Sequence, residues 1–557
     1  MRKKLIISFF YSIFLFTLLL FILISGSADY YEYNIYKEYP IIFWILIIAA
    51  FSSIQFFILR TENRVLMLIL ALLNVIVISL PLLRNYFFYN PHDSLTHMGW
   101  IVDILNYNHI GNTNIYPSIH ILTTSTILLT NISIQKTMLL IPIIFFILYI
   151  FTIFLYRNYF KRSIWICFFI LMLIPFAKIH YNIFAPFSQS IFFSFIIIFL
   201  INKIDKEKRY IPIVIILIIS LIVYHPVTTL IIILYLFVKQ ITLKLSKQPN
   251  HQVKNLLYFS IISFFIWSTN IYIYTRSIRN MVQFIFIGKG ESSFSKGLSV
   301  VEKYDITLQD LILYNFFTQG LFVIFSLGAF FSIIYLFIRK RKIFIKTIDS
   351  QISLGFFILL TFAGLFLSLI AGSRIFFYTI FFAIIIISFT QYFSNKKKIR
   401  GYFVIFVLLI ININAIFSIY YSPVIRKPNL HATENQYETM STFFDYYNDT
   451  FSIYDMGYYS IRYYEGINGR DFSNTTYKSE MFIESDLGYD RYHSINYILN
   501  NNTYLVTFDL GRNLYNYIYP DYENQWRYDQ NSFNKLNEDN HANLIFNSEE
   551  MNIFIIS

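Results

Sequence analysis

Long apolar segments constrain this chain more than any other feature of its sequence. An α-helix needs about 20 mostly apolar residues to cross a bilayer, and stretches of that kind recur from the amino terminus to residue 421. They lie at residues 5–25, 39–59, 64–82, 137–156, 163–177, 186–202, 210–224, 226–238, 256–274, 313–338, 352–372, 375–393 and 401–421. The pattern predicts a polytopic α-helical membrane protein with about 13 transmembrane helices.

Charge is scarce and unevenly distributed along the chain. Only 14% of the residues are charged, against about a quarter in soluble globular proteins. Residues 1–421 carry 35 basic and 13 acidic side chains, whereas residues 422–557 carry 9 basic and 19 acidic ones. Basic residues in loops between apolar segments orient membrane helices, so we expect a lipid bilayer and no nucleic acid as partner. The single cysteine, Cys167, excludes an internal disulfide and a CxxC metal or redox site.

The loop lysines and arginines predict an orientation in the cell membrane. Arg2, Lys3 and Lys4 precede the first segment, which predicts a cytoplasmic amino terminus. Six further basic clusters fall on the same inner side if residues 116–135 stay outside and the run 210–238 turns back at His225-Pro226. A single kinked helix in that run would instead leave one basic flank outside. The favoured assignment has large outer loops at residues 83–136 and 275–312.

The carboxyl-terminal region differs from the rest. Residues 422–557 are polar, acidic and rich in Tyr and Asn, and this topology places them outside the cell. The segments 504–508 and 552–556 have the composition of strands, and 439–447 that of a helix. We therefore predict two domains: a transmembrane domain at 1–421 and a small extracytoplasmic α/β domain at 422–557.

Asp93 has the most unusual surroundings of the carboxylates on the predicted outer side. A helix that begins there would lie along the membrane surface on an apolar stripe of Leu95, Met98, Val102 and Leu105. Asp93 and His97 are four residues apart, so they share a helix face and can converge on one substrate or metal ion. The alternative is that Asp93 only caps the helix by accepting the Thr96 amide.

Other polar side chains reach the same side in this topology. They are His120, His180, Gln189, His225 and Arg374. Two alternatives to a functional site remain. The histidines lie at the membrane interface by coincidence, or Arg374 is only an interfacial anchor.

This set of residues suits glycosyl transfer from a lipid-phosphate donor. One carboxylate is needed to deprotonate the acceptor, and cationic or hydrogen-bonding groups are needed to stabilise the departing phosphate. Asp93 would be the base and Arg374 the phosphate ligand, while His97, His120, His180 and His225 would bind substrate or phosphate or orient Asp93. A divalent cation, Mg²⁺ or Mn²⁺ on Asp93 and His97, is left open because no spacing matches a dedicated metal motif.

At these residues the sequence resembles the GT-C superfamily of integral-membrane glycosyltransferases. The resemblance lies in Asp93 within His-Asp-Ser-Leu-Thr-His in the first large outer loop, in the following Tyr116-Pro117, and in the outer carboxyl-terminal region. It implies a polyprenyl-phosphate or polyprenyl-diphosphate sugar as donor, and an envelope glycan, lipid or protein as acceptor. Together with the single assignable carboxylate, it implies inversion at the anomeric carbon.

The catalytic subunit of oligosaccharyltransferase is a more distant likeness. Residues 454–458, Tyr-Asp-Met-Gly-Tyr, are similar to that family's Trp-Trp-Asp-Tyr-Gly signature but lack both tryptophans. We expect Asp455 to begin a turn and not to bind a peptide.

Two other classes remain open. A transporter or flippase for envelope lipid or polysaccharide would use the broken helix at His225-Pro226 and polar groups inside the bundle. An envelope scaffold would leave Asp93 as a cap and Arg374 as an anchor. Polar groups gathered at the outer side favour the enzyme, whereas a polar path to the inner side favours the transporter.

Overall fold

The computed structural model describes most of the chain. It covers residues 2–61, 63–159, 183–205, 207–248, 250–269, 308–344, 348–367, 378–387, 401–448, 451–471, 479–482, 486–520, 523, 526 and 528–557. His180 and Arg374 lie outside the described residues.

Helices dominate residues up to 418. They are α1 (Arg2–Ile24), α2 (Ile41–Thr61), α3 (Arg64–Ile78), α4 (Leu80–Leu83), α5 (Pro91–Tyr107), α6 (Pro117–Thr130), α7 (Ile134–Tyr159), α8 (Pro186–Ile204), α9 (Ile211–Tyr224), α10 (Pro226–Leu245), α11 (His251–Thr269), α12 (Leu308–Phe344), α13 (Ile348–Leu367), α14 (Tyr378–Ile387) and α15 (Gly401–Ser418). Twelve of the 13 predicted apolar segments overlap one of these helices, and the remaining one, 163–177, lies outside the described residues.

Several of these helices are long and apolar enough to cross a bilayer. Within the described part of the chain there are five, at Ile41–Ile58, Ile134–Leu155, Pro186–Ile204, Pro226–Leu245 and Ile312–Ile338. Shorter apolar helices accompany them, among them Arg64–Ile78 and Ile405–Ser418. The chain is therefore a multi-pass membrane protein, while the number of crossings and their orientation stay predictions.

The chain reverses direction at His225. This residue is extended (φ −160°, ψ 97°) between α9 and α10, and Pro226 starts the second helix. Thr228 at the start of α10 contacts Ser190 near the start of α8, whereas Lys239 further along α10 binds Asp205 just after α8 ends. Because the start of α10 lies beside the start of α8 and its later part lies beside the end of α8, α10 runs parallel to α8, and α9 connects them as the returning arm.

The region after residue 430 contains a five-stranded sheet. Its strands are β3 (Ser452–Met456), β4 (Glu480–Met481), β5 (Thr503–Phe508), β6 (Ala542–Ser548) and β7 (Met551–Ile556). The order is β4-β3-β5-β7-β6, with β3, β4 and β5 parallel and β6 and β7 antiparallel to their neighbours. Four helices accompany it: α16 (Glu434–Tyr446), α17 (Ser460–Asn468), α18 (Asp509–Ile518) and α19 (Gln530–Glu538).

The hydrophobic core continues from the helical bundle into this sheet. One cluster of buried side chains includes Phe43 and Ile101 as well as Tyr463, Val506 and Ile553. The boundary predicted at residue 421/422 therefore does not separate two cores, although the division into domains stays a prediction.

The carboxyl edge of the parallel strands is covered by the amino-terminal part of the chain. The Tyr33 ring stacks on Tyr517 with centroids 4.4 Å apart, and its hydroxyl accepts a 2.6 Å hydrogen bond from Asn513. Ligands of α/β sheets commonly bind at this edge. Here the protein's own tyrosines occupy the position, so this edge is packing surface.

A short ribbon ties the two regions together just before α5. Strands β1 (Phe88–Tyr89) and β2 (His431–Ala432) pair antiparallel. The ring of His431 lies between Tyr31 and Tyr86, with centroids 4.8 and 4.1 Å away, and its Nε2 accepts the Glu32 amide. This buried packing fixes the position from which α5 begins.

Candidate functional site

Asp93 lies in the first turn of α5 and its side chain is exposed. The helix begins at Pro91, preceded by Asn90 in a left-handed conformation (φ 59°) whose amide donates to the Leu430 carbonyl at 2.6 Å. Asn90 is therefore the N-cap residue of α5, which is the alternative role considered above for Asp93. A carboxylate in the first turn of a helix faces the positive end of the helix dipole, and Asp93 thus stands on a fixed helix terminus.

The apolar stripe of α5 does not lie open on a membrane surface. Leu95 and Met98 are buried, and Leu95 packs against Gly466 of α17. Gly99 faces the Glu465 backbone so closely that a Cβ there would overlap the carbonyl. The expectation of a surface helix was wrong because the carboxyl-terminal region covers this face, and a glycine on each helix permits the close approach.

Polar side chains lock α5 and α17 together. Glu465 accepts hydrogen bonds from Thr96 at 2.7 Å, Arg470 at 2.7 Å and Arg462 at 3.2 Å. The Arg470 guanidinium also lies 4.7 Å from the ring of Trp100. Two arginines therefore share one carboxylate at the contact between α5 and α17.

Asp103, near the other end of α5, anchors the chain that follows α17. This fully buried carboxylate accepts the backbone amides of Arg470 and Asp471 at 3.0 and 2.9 Å. Asp103 was one of many outer carboxylates in the sequence, with no local signal for this role. It holds the orientation of α5 and, through it, that of Asp93.

His97 and His120 form a hydrogen-bonded pair. His97 Nδ1 lies 2.9 Å from His120 Nε2, and His120 Nδ1 lies 2.8 Å from the Asn114 amide oxygen. The same oxygen accepts the Tyr116 amide at 3.3 Å, which fixes the orientation of the Asn114 side chain. Because an amide oxygen only accepts, His120 donates from Nδ1 and accepts from His97 Nδ1. Neutral His97 then presents an unprotonated Nε2.

Burial keeps this pair neutral. Desolvation, with smaller effects from Arg470 and Arg462, lowers the pKa of His97 to about 3. Desolvation likewise lowers the pKa of His120 well below its usual range, and His97 adds to the effect. Both rings are therefore hydrogen-bonding groups, and not cations, at physiological pH.

His225 joins the same neighbourhood through Tyr116. Its ring stacks on Tyr116 with centroids 5.5 Å apart, and Tyr116 lies 6.3 Å from His97. Its Nδ1 accepts the Thr228 amide at 3.2 Å and so caps α10. The structure thus brings three of the predicted histidines together around one tyrosine. Gln189 instead caps α8, because it bonds to the backbone of residues 183 and 185.

Tyr421 lies close enough to Asp93 to be affected by its charge, Lys427 lies beside Tyr421, and the sequence analysis missed both. Burial, and in second place the negative charge of Asp93, raises the pKa of Tyr421 to about 12. The ammonium of Lys427 lies 5.3 Å from the centre of the Tyr421 ring. Their only sequence signal is a basic pair, Arg426-Lys427, shortly after the last apolar segment.

A metal site is not preformed in the described part of the chain. There, no three His, Cys, Asp or Glu side chains converge in a way that could hold a metal ion. Mg²⁺ prefers oxygen ligands, and the groups on this face of α5 are one carboxylate and neutral imidazoles. Asp93 and His97 by themselves thus supply too few ligands for a dedicated Mg²⁺ or Mn²⁺ site, and a divalent cation stays a prediction.

Polar contacts of α8 with α10 and α14 form two separate groups. Ser190 bonds to Thr228 at 2.7 Å and Ser194 to Tyr378 at 2.8 Å, at the end nearest His225. The second group, at the opposite end of α8, comprises Asp205, Asn202, Tyr235 and Lys239.

Buried apolar side chains separate the two groups. Ile197, Ile198 and Phe199 occupy α8 between them, and Ile231 and Ile232 do so on α10. The stretch of α8 from Ser194 to Asn202 is about 12 Å long. The described residues of α8 and α10 therefore carry no continuous polar path.

Asp455 lies inside strand β3 and is fully buried. Its carboxylate accepts the Ser460 amide at the start of α17 at 2.8 Å. Desolvation raises the pKa of Asp455 to about 7, although the hydrogen bonds from Ser460 act in the opposite direction. The residue is not in a turn as expected, and its burial keeps it away from any peptide.

Comparisons with known proteins give similar solved structures but no family. No protein-family model matches the sequence, and no curated protein matches it. The fold is similar to that of the archaeal oligosaccharyltransferase AglB from Archaeoglobus fulgidus, solved in complex with an inhibitory peptide and a dolichol-phosphate. The chains are 12% identical, the match covers 86% of this chain and 70% of that chain, and the TM-score is 0.44. Similarity at this level transfers neither an activity nor the role of any residue.

Proposed function

We propose that the protein is a membrane glycosyltransferase that moves a sugar from a polyprenyl-phosphate carrier to a cell-envelope glycan, lipid or protein. The observation that carries the proposal is the position of Asp93. An exposed carboxylate stands on a helix that is fixed on one side by the β1–β2 ribbon and on the other by α17. It lies where the apolar bundle meets the polar carboxyl-terminal region. A water-soluble acceptor and the headgroup of a membrane-bound donor can meet at such a boundary.

Asp93 would act as general base. It would remove the proton from the acceptor hydroxyl or amide as the new bond to the anomeric carbon forms. The bond from that carbon to the phosphate oxygen breaks, and its electron pair leaves with the phosphate. A single displacement of this kind inverts the anomeric centre, and one carboxylate suffices for it.

The neutral histidines would position the acceptor. His97 lies one helical turn from Asp93, and its unprotonated Nε2 can accept a hydrogen bond from a second acceptor hydroxyl. Arg374 and His180, predicted to bind the donor phosphate or substrate, lie outside the described residues, so their roles stay proposals. A divalent cation is not required by this scheme.

Transport is less well supported. A transporter needs polar groups along a route through the membrane. The apolar interval between Ser194 and Asn202 interrupts such a route on α8. We therefore keep transport only as the outcome that a negative result would favour.

Replacing Asp93 by asparagine tests the proposal. A deletion strain complemented with Asp93→Asn should produce envelope glycans that lack one sugar and should accumulate the unmodified acceptor, as read by mass spectrometry. Asp445→Asn is the matched control, because Asp445 is also an exposed helical carboxylate of the carboxyl-terminal region. Both variants must reach the membrane at the wild-type level. Wild-type glycans with Asp93→Asn would refute the role of Asp93 as base and favour transport or scaffolding.

A further inference from the structure

Two adjacent cations follow the last apolar helix, and their surroundings differ. Arg426 pairs with Asp310 at 3.0 Å and lies over the ring of Tyr519. Lys427 is exposed, and within the described residues no carboxylate lies within 4.0 Å of its ammonium. Arg426 thus stabilises the fold, whereas no carboxylate among the described residues neutralises the charge of Lys427.

The backbone aims Lys427 at Tyr421. After α15 ends at Ser418, residues Pro423–Ile425 form a 3₁₀ turn, and the Lys427 amide donates to the Ser422 carbonyl at 3.1 Å. Arg426 adopts a left-handed conformation (φ 50°) to close this turn. The result is that the Lys427 ammonium lies 5.3 Å from the centre of the Tyr421 ring. Cation–π contact of this kind orients an ammonium without neutralising it.

Asp93 stands at the start of a helix that neighbours the same tyrosine. The ring of Tyr89 lies 6.2 Å from that of Tyr420, and Asn90 is bonded to Leu430, so the start of α5 and the segment after α15 are neighbours. The charge of Asp93 reaches the Tyr421 phenol. Lys427 and Asp93 nevertheless form no ion pair. An ammonium without an ion pair among the described residues and an exposed carboxylate, both of which act on Tyr421, are candidates to bind one substrate.

The place of Lys427 in the chain, shortly after an apolar helix, suits a lipid headgroup. The residue follows the end of α15 by nine positions, where the chain has just left the apolar bundle. An ammonium at this level is a strong ligand for a phosphate, because charge-assisted hydrogen bonds are about twice as strong as neutral ones.

We propose that Lys427 binds the phosphate of a lipid-linked substrate beside Asp93, with the Tyr421 ring orienting its ammonium. The inference rests on the proposed function for the identity of the substrate. In the reaction, the phosphate oxygen gains negative charge as its bond to the sugar breaks, and the ammonium stabilises that charge. The chemistry recognised is a phosphate monoester or diester, whose source can be a polyprenyl lipid or free phosphate.

Binding measured without turnover tests the inference. The full chain with Asp93→Asn is reconstituted in phosphatidylcholine nanodiscs and titrated with undecaprenyl monophosphate, and inorganic phosphate is titrated in a second arm. Lys427→Gln should weaken binding of the lipid about 10- to 100-fold, and Lys427→Arg should retain most of it. The matched control is Lys37→Gln, because Lys37 is an exposed lysine 4.7 Å from the centre of the Tyr517 ring and away from Asp93. It should leave binding unchanged.

The outcomes separate this inference from the proposed function. Equal lipid affinity with Lys427 and with Lys427→Gln would overturn the inference even if Asp93→Asn abolishes glycan transfer. Lys427-dependent binding in a protein whose Asp93→Asn variant retains glycan transfer would uphold the phosphate site and refute Asp93 as base. If inorganic phosphate binds as tightly as the lipid, the site does not select a lipid-linked phosphate, and that part of the inference is overturned. A similar loss with Lys37→Gln would show that surface charge alone explains the effect and would also overturn the inference.

Discussion

Replacing Gly99 by alanine should force α5 and α17 apart. An alanine Cβ would stand 3.0 Å from the Glu465 carbonyl carbon and closer still to its oxygen. Ordinary contacts between carbon atoms are about 3.5–4.0 Å, so the helices must separate by roughly 0.5–1 Å. The obstruction is backbone, so no side-chain rotation relieves it.

The expected cost is large enough to measure. Alanine in a helix gains about 1 kcal/mol over glycine, whereas overpacking costs about 1–3 kcal/mol, so Gly99→Ala should destabilise the protein by up to about 2 kcal/mol. Because α5 carries Asp93, the same displacement should lower the proposed transfer rate by as much as about 100-fold.

Gly328→Ala is the matched control. Gly328 lies in helix α12, and a Cβ there would meet only the end of the flexible Ile387 side chain, at 3.0 Å. Thermal unfolding of the detergent-solubilised variants, followed by tryptophan fluorescence, gives the stabilities, and envelope glycan analysis gives the activity. If Gly99→Ala is as stable and as active as Gly328→Ala, α5 and α17 are not packed as closely as the structure has them.

Two further predictions concern buried charges. The pKa of Asp455 rises from 3.8 in the unfolded chain to about 7 in the fold, so the folded state binds the extra proton, and stability falls by about 4 kcal/mol as the pH rises through this range. Asp455→Asn should flatten that loss, measured as hydrogen exchange of residues 452–468 at pH 5 and pH 8, and an unchanged pH dependence would contradict the assignment. Lys239 is buried and pairs with the partly exposed Asp205 at 2.7 Å. Asp205→Asn, which leaves the ammonium buried without its counter-charge, should therefore lower the melting temperature more than Lys239→Met does, and the reverse order would show that the pair does not stabilise the bundle.

The candidate site was only partly predictable from sequence. Asp93 and His97 stand out because they lie four residues apart at the start of an amphipathic helix, which is a local pattern. The bond between His97 and His120 could not be predicted, because it depends on how α6 returns to α5. Beyond the basic pair Arg426-Lys427, nothing in the sequence indicates a role for Lys427, because that role depends on a tyrosine and a carboxylate that the fold brings near it.

The sequence by itself determined the class of this protein and most of its helices. Three local properties carried this information: the apolar runs of bilayer length, their interruption at Pro226 and the contrast in charge at residue 421. The apolar runs predict membrane helices because apolar side chains prefer a medium without water. Only the tertiary structure decided that α5 is covered by α17, that Asp103 anchors the chain after Gly469, and that Lys427 and Asp93 share Tyr421. These contacts join residues more than 300 positions apart. No local periodicity encodes them, because they depend on the packing of whole elements against one another.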